Sequence, residues 1–329
     1  SFQWLKNRSK KQPVTFATPT VDTTENTHTR LDEISKIWKK IYDKHRLGEP
    51  SMRNFLSKYG EHMKRDMCEL PALTGRQIAE TLEKTRPTSP GMDSIAPYEL
   101  QLLVRWCPDF CEMIAAILNL VESTGEWPDA LSKGAVCFIP KVASDNPLPT
   151  DFRPLTILSS IYRLWASARH DQLCVKWLPK WKSSKTFGLK DSHAADALAF
   201  QTCLQTQINI HNKLYTSGLS YDMQKCFDTI PIQLVIQVFN HRGADSKVVK
   251  ALNGFYSQHQ KHFQIDGAYT HSDKPHNGLV QGCPLSMILL TSLTTTWVEY
   301  CEIRIPQTCP RSYADDLSIC ANSRNTTDL

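Results

Sequence analysis

Two acidic segments, far apart in the chain, constrain this sequence more than anything else in it. The later one is Tyr313-Ala314-Asp315-Asp316. It lies between a polar run (Thr308-Cys309-Pro310-Arg311-Ser312) and an apolar one (Leu317-Ser318-Ile319-Cys320). That pattern predicts a tight turn between two short strands, with both acids at the tip. Taken alone, the tetrapeptide describes a solvated hairpin. The earlier segment, Ser220-Tyr221-Asp222-Met223-Gln224-Lys225-Cys226-Phe227-Asp228, changes the reading, because it closes a predicted strand over 218–222 with another acid. Between the two stands Gly278-Leu279-Val280-Gln281-Gly282-Cys283-Pro284-Leu285-Ser286. Carboxylates from separate strands are what two-metal nucleotidyl transfer needs, since two cations roughly 3.5–4 Å apart must be held between the attacking hydroxyl and the leaving phosphate. Asp222 and Asp315 are the expected ligands, and Asp316 is a weaker third.

Composition narrows the setting. A chain of 329 residues can form two domains or one large α/β unit, and its 41% hydrophobic content is ordinary for a globular protein. The net charge of +5 is compatible with a nucleic-acid partner without requiring one. Eleven cysteines are scattered with no Cys-x-x-Cys, and the closest pair, Cys107 and Cys111, places Cys111 at helical spacing inside an apolar run. The expectation is an intracellular, reducing environment, in the nucleus, a cytoplasmic ribonucleoprotein or an organelle, without structural disulfides or zinc. No apolar run reaches the roughly 18 residues that a membrane span needs, and no signal peptide stands at the front. The start at Ser1 is expected to reflect a cut from something longer.

Along the chain, residues 1–30 are polar and read as a mobile or extended arm, with a basic cluster at Lys6, Arg8, Lys10 and Lys11. Residues 31–65 carry helical periodicity through Leu31, Ile34, Ile37, Trp38 and Ile41. Thr74 is a plausible N-cap for the next helix. A loop at Pro87–Asp93 precedes helices over Tyr98–Trp106 and Asp109–Ser123. A strand over Ala135–Lys141 follows, then a loop at 142–151, a helix over 158–179 and a long helix over 191–216. From Gly218 the order is strand, two helices (about 231–241 and 246–258), a hairpin turned at Asp266-Gly267, an apolar helix over Leu285–Glu302 and the acidic hairpin. That order fits a unit whose carboxylates meet on one sheet face.

At this point the sequence resembles a known family, the reverse transcriptases of non-LTR retrotransposons and, more distantly, of group II introns. Matching segments come in the family's order. Pro90-Gly91-Met92-Asp93-Ser94-Ile95 is similar to its N-terminal motif. Phe138-Ile139-Pro140-Lys141 with Asp151–Leu158 resembles the first fingers motif, and Phe187–Leu198 the second. Asp222–Asp228, Gln281–Ser286 and Tyr313–Asp316 resemble the three palm motifs. The resemblance covers roughly residues 74–329. It implies an α/β (α+β) fold of right-hand polymerase type, with helical fingers around a small antiparallel palm sheet. Residues 1–65 would be an N-terminal arm and helical extension, 66–217 the fingers and 218–329 the palm, truncated before the primer grip and thumb.

The resemblance also implies roles by position. Asp222 and Asp315 would bind two Mg²⁺ ions, with Mn²⁺ as an alternative. Asp316 would support the site and the Met223 carbonyl would add a metal ligand. Backbone amides near Lys225 and Cys226 would face the triphosphate. Phe227, five residues after Asp222, would block a 2′-hydroxyl and select deoxynucleotides. Lys141 and Arg153 would clamp the triphosphate, Arg153 with bidentate reach. Gln281 would touch the incoming sugar or base region, Gly282 would let the backbone approach the template–nucleotide pair, and Tyr313 would pack beside the primer end. Partners would be an RNA template, a DNA or RNA primer, dNTPs, and other protein segments supplying a thumb or a ribonucleoprotein, with no membrane. Two departures stand out. Gly188-Leu189-Lys190-Asp191-Ser192 replaces a more basic Gly-Phe-Arg stretch, and Met287 stands where a proline is usual. A missing thumb would give poor primer retention. The expected function is an RNA-directed DNA polymerase core of a retroelement. The alternative is a domesticated or truncated version of this fold, acting as a non-catalytic RNA-binding or structural subunit of a ribonucleoprotein. A generic metal phosphotransferase explains the acids but not the Gln-Gly-x-Pro-Leu-Ser segment.

Overall fold

The computed structural model describes residues 23–46, 48, 52–107, 109–141, 148–189, 194–265, 267–270 and 273–325. The basic cluster Lys6–Lys11, the turn residue Asp266, and Lys190–His193 of the second fingers-like motif lie outside the described residues. The helices are α1 (Thr23–Tyr42), α2 (Met52–Tyr59), α3 (Gly75–Glu83), α4 (Pro97–Trp106), α5 (Phe110–Thr124), α6 (Asp129–Ser132), α7 (Ser160–Lys176), α8 (Leu178–Trp181), α9 (Ala194–His211), α10 (Cys226–Thr229), α11 (Ile232–His241), α12 (Ser246–Gln258) and α13 (Ser286–Arg304). The strands are β1 (Lys133–Pro140), β2 (Phe152–Leu158), β3 (Thr186–Phe187), β4 (Tyr215–Asp222), β5 (Gln260–Ile265), β6 (Ala268–Tyr269), β7 (Thr308–Tyr313) and β8 (Asp316–Ser323). The architecture mixes helices with two small sheets. None of the described helices is long and apolar enough to cross a membrane.

One sheet has the order β2-β1-β5-β6, with β1 antiparallel to β2 and parallel to β5. The other has the order β3-β7-β8-β4, with β8 antiparallel to both of its neighbours. The main core lies among α3, α5, α7, α11, α12 and α13. Trp127, Tyr162, Trp165 and Phe255 cluster at its centre, where the Tyr162 and Phe255 rings stack 3.9 Å apart and Trp127 meets Trp165 and Phe255 edge-on. A smaller core forms where Leu31, Ile34, Trp38 and Tyr42 of α1 close over Val136 and Phe263 of the first sheet. The helical spacing of those four residues makes one continuous apolar stripe, and that stripe is the face that packs.

Local signals explain several boundaries. The Thr74 hydroxyl accepts from the Gln77 amide while the Gln77 side chain accepts from the Thr74 amide, a reciprocal cap that starts α3. Asp245 accepts from the Lys247 and Val248 amides and starts α12. Gly125, at φ +79°, ends α5 in the left-handed region.

Five expectations are corrected. Helix α1 begins at Thr23, so the polar stretch before residue 31 is not all extended. The expected run over 31–65 is broken after Tyr42, where the chain turns through residues 43–46. The expected helix over 158–179 is preceded by a strand, β2, which runs through Leu158. The helix begins only at Ser160, because the Ser159 hydroxyl accepts from the Ile161 and Tyr162 amides. The expected helix over 191–216 ends at His211. Lys213 takes φ +55° and the Leu214 amide donates to the Asn209 carbonyl, which turns the chain into β4. The hairpin β5–β6 pairs with β1, not with the strands that carry the acids.

Candidate active site at the acidic turn

Strand β4 ends at Asp222 and β8 begins at Asp316, and these two residues are direct partners in the antiparallel register. Tyr313 pairs with Asp316 on the other side, which leaves Ala314 and Asp315 as the two-residue turn between β7 and β8. The register therefore places Asp222, Asp315 and Asp316 at one end of one sheet. Like charges directly opposite each other destabilise a strand pair. The turn is buttressed from β3. The Ala314 amide donates to the Phe187 carbonyl at 3.2 Å, while Ala314 sits at φ +51°. Gly188 makes this approach feasible, because a Cβ there would stand 2.7 Å from the Ala314 nitrogen. Gly188 lies in the second fingers-like motif, and this role is invisible without the tertiary contact.

Burial pushes the Asp315 carboxyl above its usual range, the charges of Asp316 and Asp222 push it further, and Arg153 opposes them. Arg153 is exposed on β2, an edge strand of the other sheet. The Cys226 thiol is pushed up to about 12, first by burial and then by Asp315, Asp228 and Asp222. It stays protonated beneath the acids and offers no thiolate.

The remaining sequence candidates are placed as follows. The Met223 carbonyl accepts from the Cys226 amide at 3.1 Å, which occupies that amide and leaves the oxygen a second lone pair. Lys225 takes φ +50°. Its Nζ donates to the Thr150 carbonyl at 3.1 Å and lies 4.4 Å from the Trp38 ring centre. Burial lowers its pKa, and nearby Lys141 lowers it further. Lys141 is exposed just beyond β1, and its amide donates to the Asp151 carbonyl at 2.8 Å. Phe227 is half-buried against the main core. Gln281 Nε2 donates to both carboxylate oxygens of Asp228, at 3.1 and 3.0 Å. Gly282 takes φ +124°, and a Cβ there would stand 2.5 Å from the Thr156 carbonyl oxygen. The constraint visible at Gly282 is thus the backbone of β2. Tyr313 is half-buried at the end of β7.

The donors at the turn, carboxylates with a carbonyl beside them, are the hard oxygens that Mg²⁺ prefers. Burial raises Asp315 first and the charges of Asp316 and Asp222 add to it, and a bound cation would offset that added repulsion. Among the described residues no three or more His, Cys, Asp or Glu side chains converge into a ready-made metal cage.

Sequence reasoning gave no role to the buried polar group beside this turn. Asp228 is 4% exposed and accepts from the Tyr42 hydroxyl at 3.2 Å as well as from Gln281. Burial raises its pKa, while Lys261, Tyr42 and Gln281 hold it down. Lys261, on β5, is 2% exposed, with its Nζ 3.4 Å from the Tyr42 ring centre. Its pKa falls to about 7 because burial disfavours the ammonium more than Asp228 favours it. The unfolded lysine, with a pKa near 10.5, then holds its proton over a range where the folded one has released it, so stability rises with pH across that window. The stability difference between wild type and Lys261→Met should therefore grow in favour of wild type from about pH 7 towards pH 10. Chemical denaturation at several pH values would measure it, and a flat difference would place the lysine in contact with solvent.

A family profile described as reverse transcriptase (RNA-dependent DNA polymerase) matches residues 139–328. The chain belongs to this reverse transcriptase family. It is also 22% identical, over 253 residues, to the probable RNA-directed DNA polymerase from transposon BS of Drosophila melanogaster. That alignment covers 71% of this chain and 26% of the relative, so the chain spans about a quarter of the length of the curated protein it matches.

Proposed function

We propose that this chain is the RNA-directed DNA polymerase core of a retroelement, with its reaction centre at the β4 end and the β7–β8 turn. The observation that carries the reading is the register pairing of Asp222 with Asp316, which sets three acids at one sheet end in a chain of this family. In this reading β4, β7 and β8 form the palm sheet, residues 66–217 supply the fingers, and β3 reaches from the fingers to pair with β7. Residues 218–329 supply the palm and 1–65 a helical extension. Asp222 and Asp315 hold two Mg²⁺ ions, or Mn²⁺, with Asp316 and the Met223 carbonyl in support. Bound there, the ions lower the pKa of the primer 3′-hydroxyl and neutralise charge on the triphosphate.

The chain's own side chains do the rest. Arg153, already within the field of Asp315, pairs with triphosphate oxygens, and Lys141 adds a second cation at the same edge. The amides near Lys225 and Cys226 border the phosphates. Gln281 and Gly282 border the nucleotide, and Phe227 stands where a 2′-hydroxyl would project. The partners are an RNA template, a DNA or RNA primer and dNTPs, with other protein segments supplying a thumb or a ribonucleoprotein.

Primer extension on an RNA template with Mg²⁺ and dNTPs tests the reading. Template-dependent DNA product is expected. Salt-sensitive RNA binding with no extension in any longer version of the chain would favour the non-catalytic subunit instead. The Phe227→Val variant should incorporate ribonucleotides more readily relative to deoxynucleotides. An unchanged dNTP:NTP ratio would remove Phe227 from the sugar.

A further inference from the structure

The segment that ends in Asp228 is tied by hydrogen bonds to helix α1, which lies ahead of the matched family region. The Tyr42 hydroxyl donates to Asp228 Oδ1 at 3.2 Å. The Tyr42 carbonyl accepts from the His276 and Asn277 amides, at 3.2 and 3.1 Å. The Asn277 side chain donates to the carbonyls of both Ile41 and Asp228, at 2.9 and 2.8 Å. One turn earlier, Trp38 lies under the Lys225 ammonium, and its Nε1 donates to the Pro149 carbonyl at 3.0 Å. These bonds link α1, the Asp222–Asp228 segment and the Asn277–Gln281 segment into one unit. The Gln281 carbonyl then accepts from the Thr156 amide at 2.8 Å, which extends the unit to β2.

The chemistry of Asp228 gives that unit a direction. A carboxylate only accepts, so the Gln281 group facing it must be the NH₂, as its two bonds to Asp228 record. Asp228 therefore selects one of the two flips of the Gln281 amide and leaves Oε1 as the end turned elsewhere. Tyr42 supplies a further donor to the same carboxylate and holds it at the correct height.

We propose that Tyr42 is a positioning residue of the nucleotide site, acting through Asp228 on the side-chain amide of Gln281, so that helix α1 is a working part of the site. The inference rests on the reading of Gln281 as a nucleotide contact. Tyr42→Phe keeps the ring beneath Lys261 and removes only the hydroxyl, so the fold is expected to persist.

The test is a double-mutant cycle of Tyr42→Phe and Gln281→Met in primer extension, read as KM for dNTP against kcat. Tyr42→Phe alone should raise KM about tenfold with kcat nearly unchanged, the loss expected for one hydrogen bond to a buried charge. In the Gln281→Met background the same change should add less than about twofold, because its route of action is already gone. A chain that binds dATP·Mg²⁺ without extending a primer is read through the same cycle on its dATP dissociation constant. Additive effects in an active or dATP-binding wild type would overturn this inference and leave the proposed function standing. A wild-type chain that neither extends a primer nor binds dATP·Mg²⁺ would overturn both.

Discussion

Asp315→Asn is expected to lower primer extension by on the order of a hundred- to a thousandfold, the loss typical when one preorganised charge-stabilising group is removed from a reaction centre. The fold should survive the change. Because the native environment raises the Asp315 pKa, the folded chain binds that proton more tightly than the unfolded one does. Stability attributable to this group therefore falls as pH rises from the ordinary value of 3.8 through the raised one. At neutral pH the ionised carboxylate is a net cost, made larger by Asp316 and Asp222. The asparagine variant should accordingly melt at the same temperature as wild type or slightly above it. Added Mg²⁺ should raise the melting temperature of wild type and leave the variant nearly unmoved, since a ligand stabilises only the state that binds it. Full extension activity in Asp315→Asn would remove the turn from the chemistry.

Glu122→Gln is expected to destabilise the described core strongly although the change is conservative in shape. Glu122 and Arg169 are each 1% exposed and form a two-pronged pair, with Arg169 Nε and Nη2 donating to the two carboxylate oxygens at 2.6 and 2.5 Å. The Trp165 indole donates to the same carboxylate at 2.8 Å, and Arg169 Nη1 also reaches the Pro71 carbonyl at 3.0 Å. This cluster joins α5, α7 and the segment before α3 around one charge pair. Neutralising Glu122 leaves the guanidinium buried without its counterion, which costs about 3–5 kcal/mol in comparable pairs. A fall in melting temperature on the order of 10 °C is expected. Replacing both residues with apolar ones of similar size should recover much of it, because the penalty lies in the unpaired charge. A shift of only a degree or two would mean that water reaches the pair.

Several features were readable because their physics is local. The tight turn at Ala314-Asp315 lies between alternating runs, and the chain has few other ways to arrange an acidic pair between two strands. The caps at Thr74 and Asp245 act within three residues, α11 and α12 follow their apolar periodicity, and α13 is buried around most of its circumference rather than along one face. Strand β2 escaped notice because Pro154 interrupts its pattern. The proline is tolerated because β2 is an edge strand that needs partners on one side only. Strand β3 has two residues, and its place is set by pairing with β7 rather than by its own propensity. The end of α9 depends on the left-handed turn at Lys213, which periodicity does not report.

The candidate site divides along the same line. The sequence by itself determined the family and an acidic turn between two strands, because motif order and turn chemistry are written in neighbouring residues; it set both acids at the tip, whereas Asp316 opens β8. Only the tertiary structure decided which acids stand opposite each other, since register is a pairing between strands distant in the chain. It alone brought Arg153 from one sheet to the acids of the other and used Gly188 to admit the Ala314 backbone. It alone gave Gln281 to Asp228 and Asp228 to Tyr42. A buried polar group must find partners wherever the fold provides them, and those partners come from segments whose closeness no local pattern encodes.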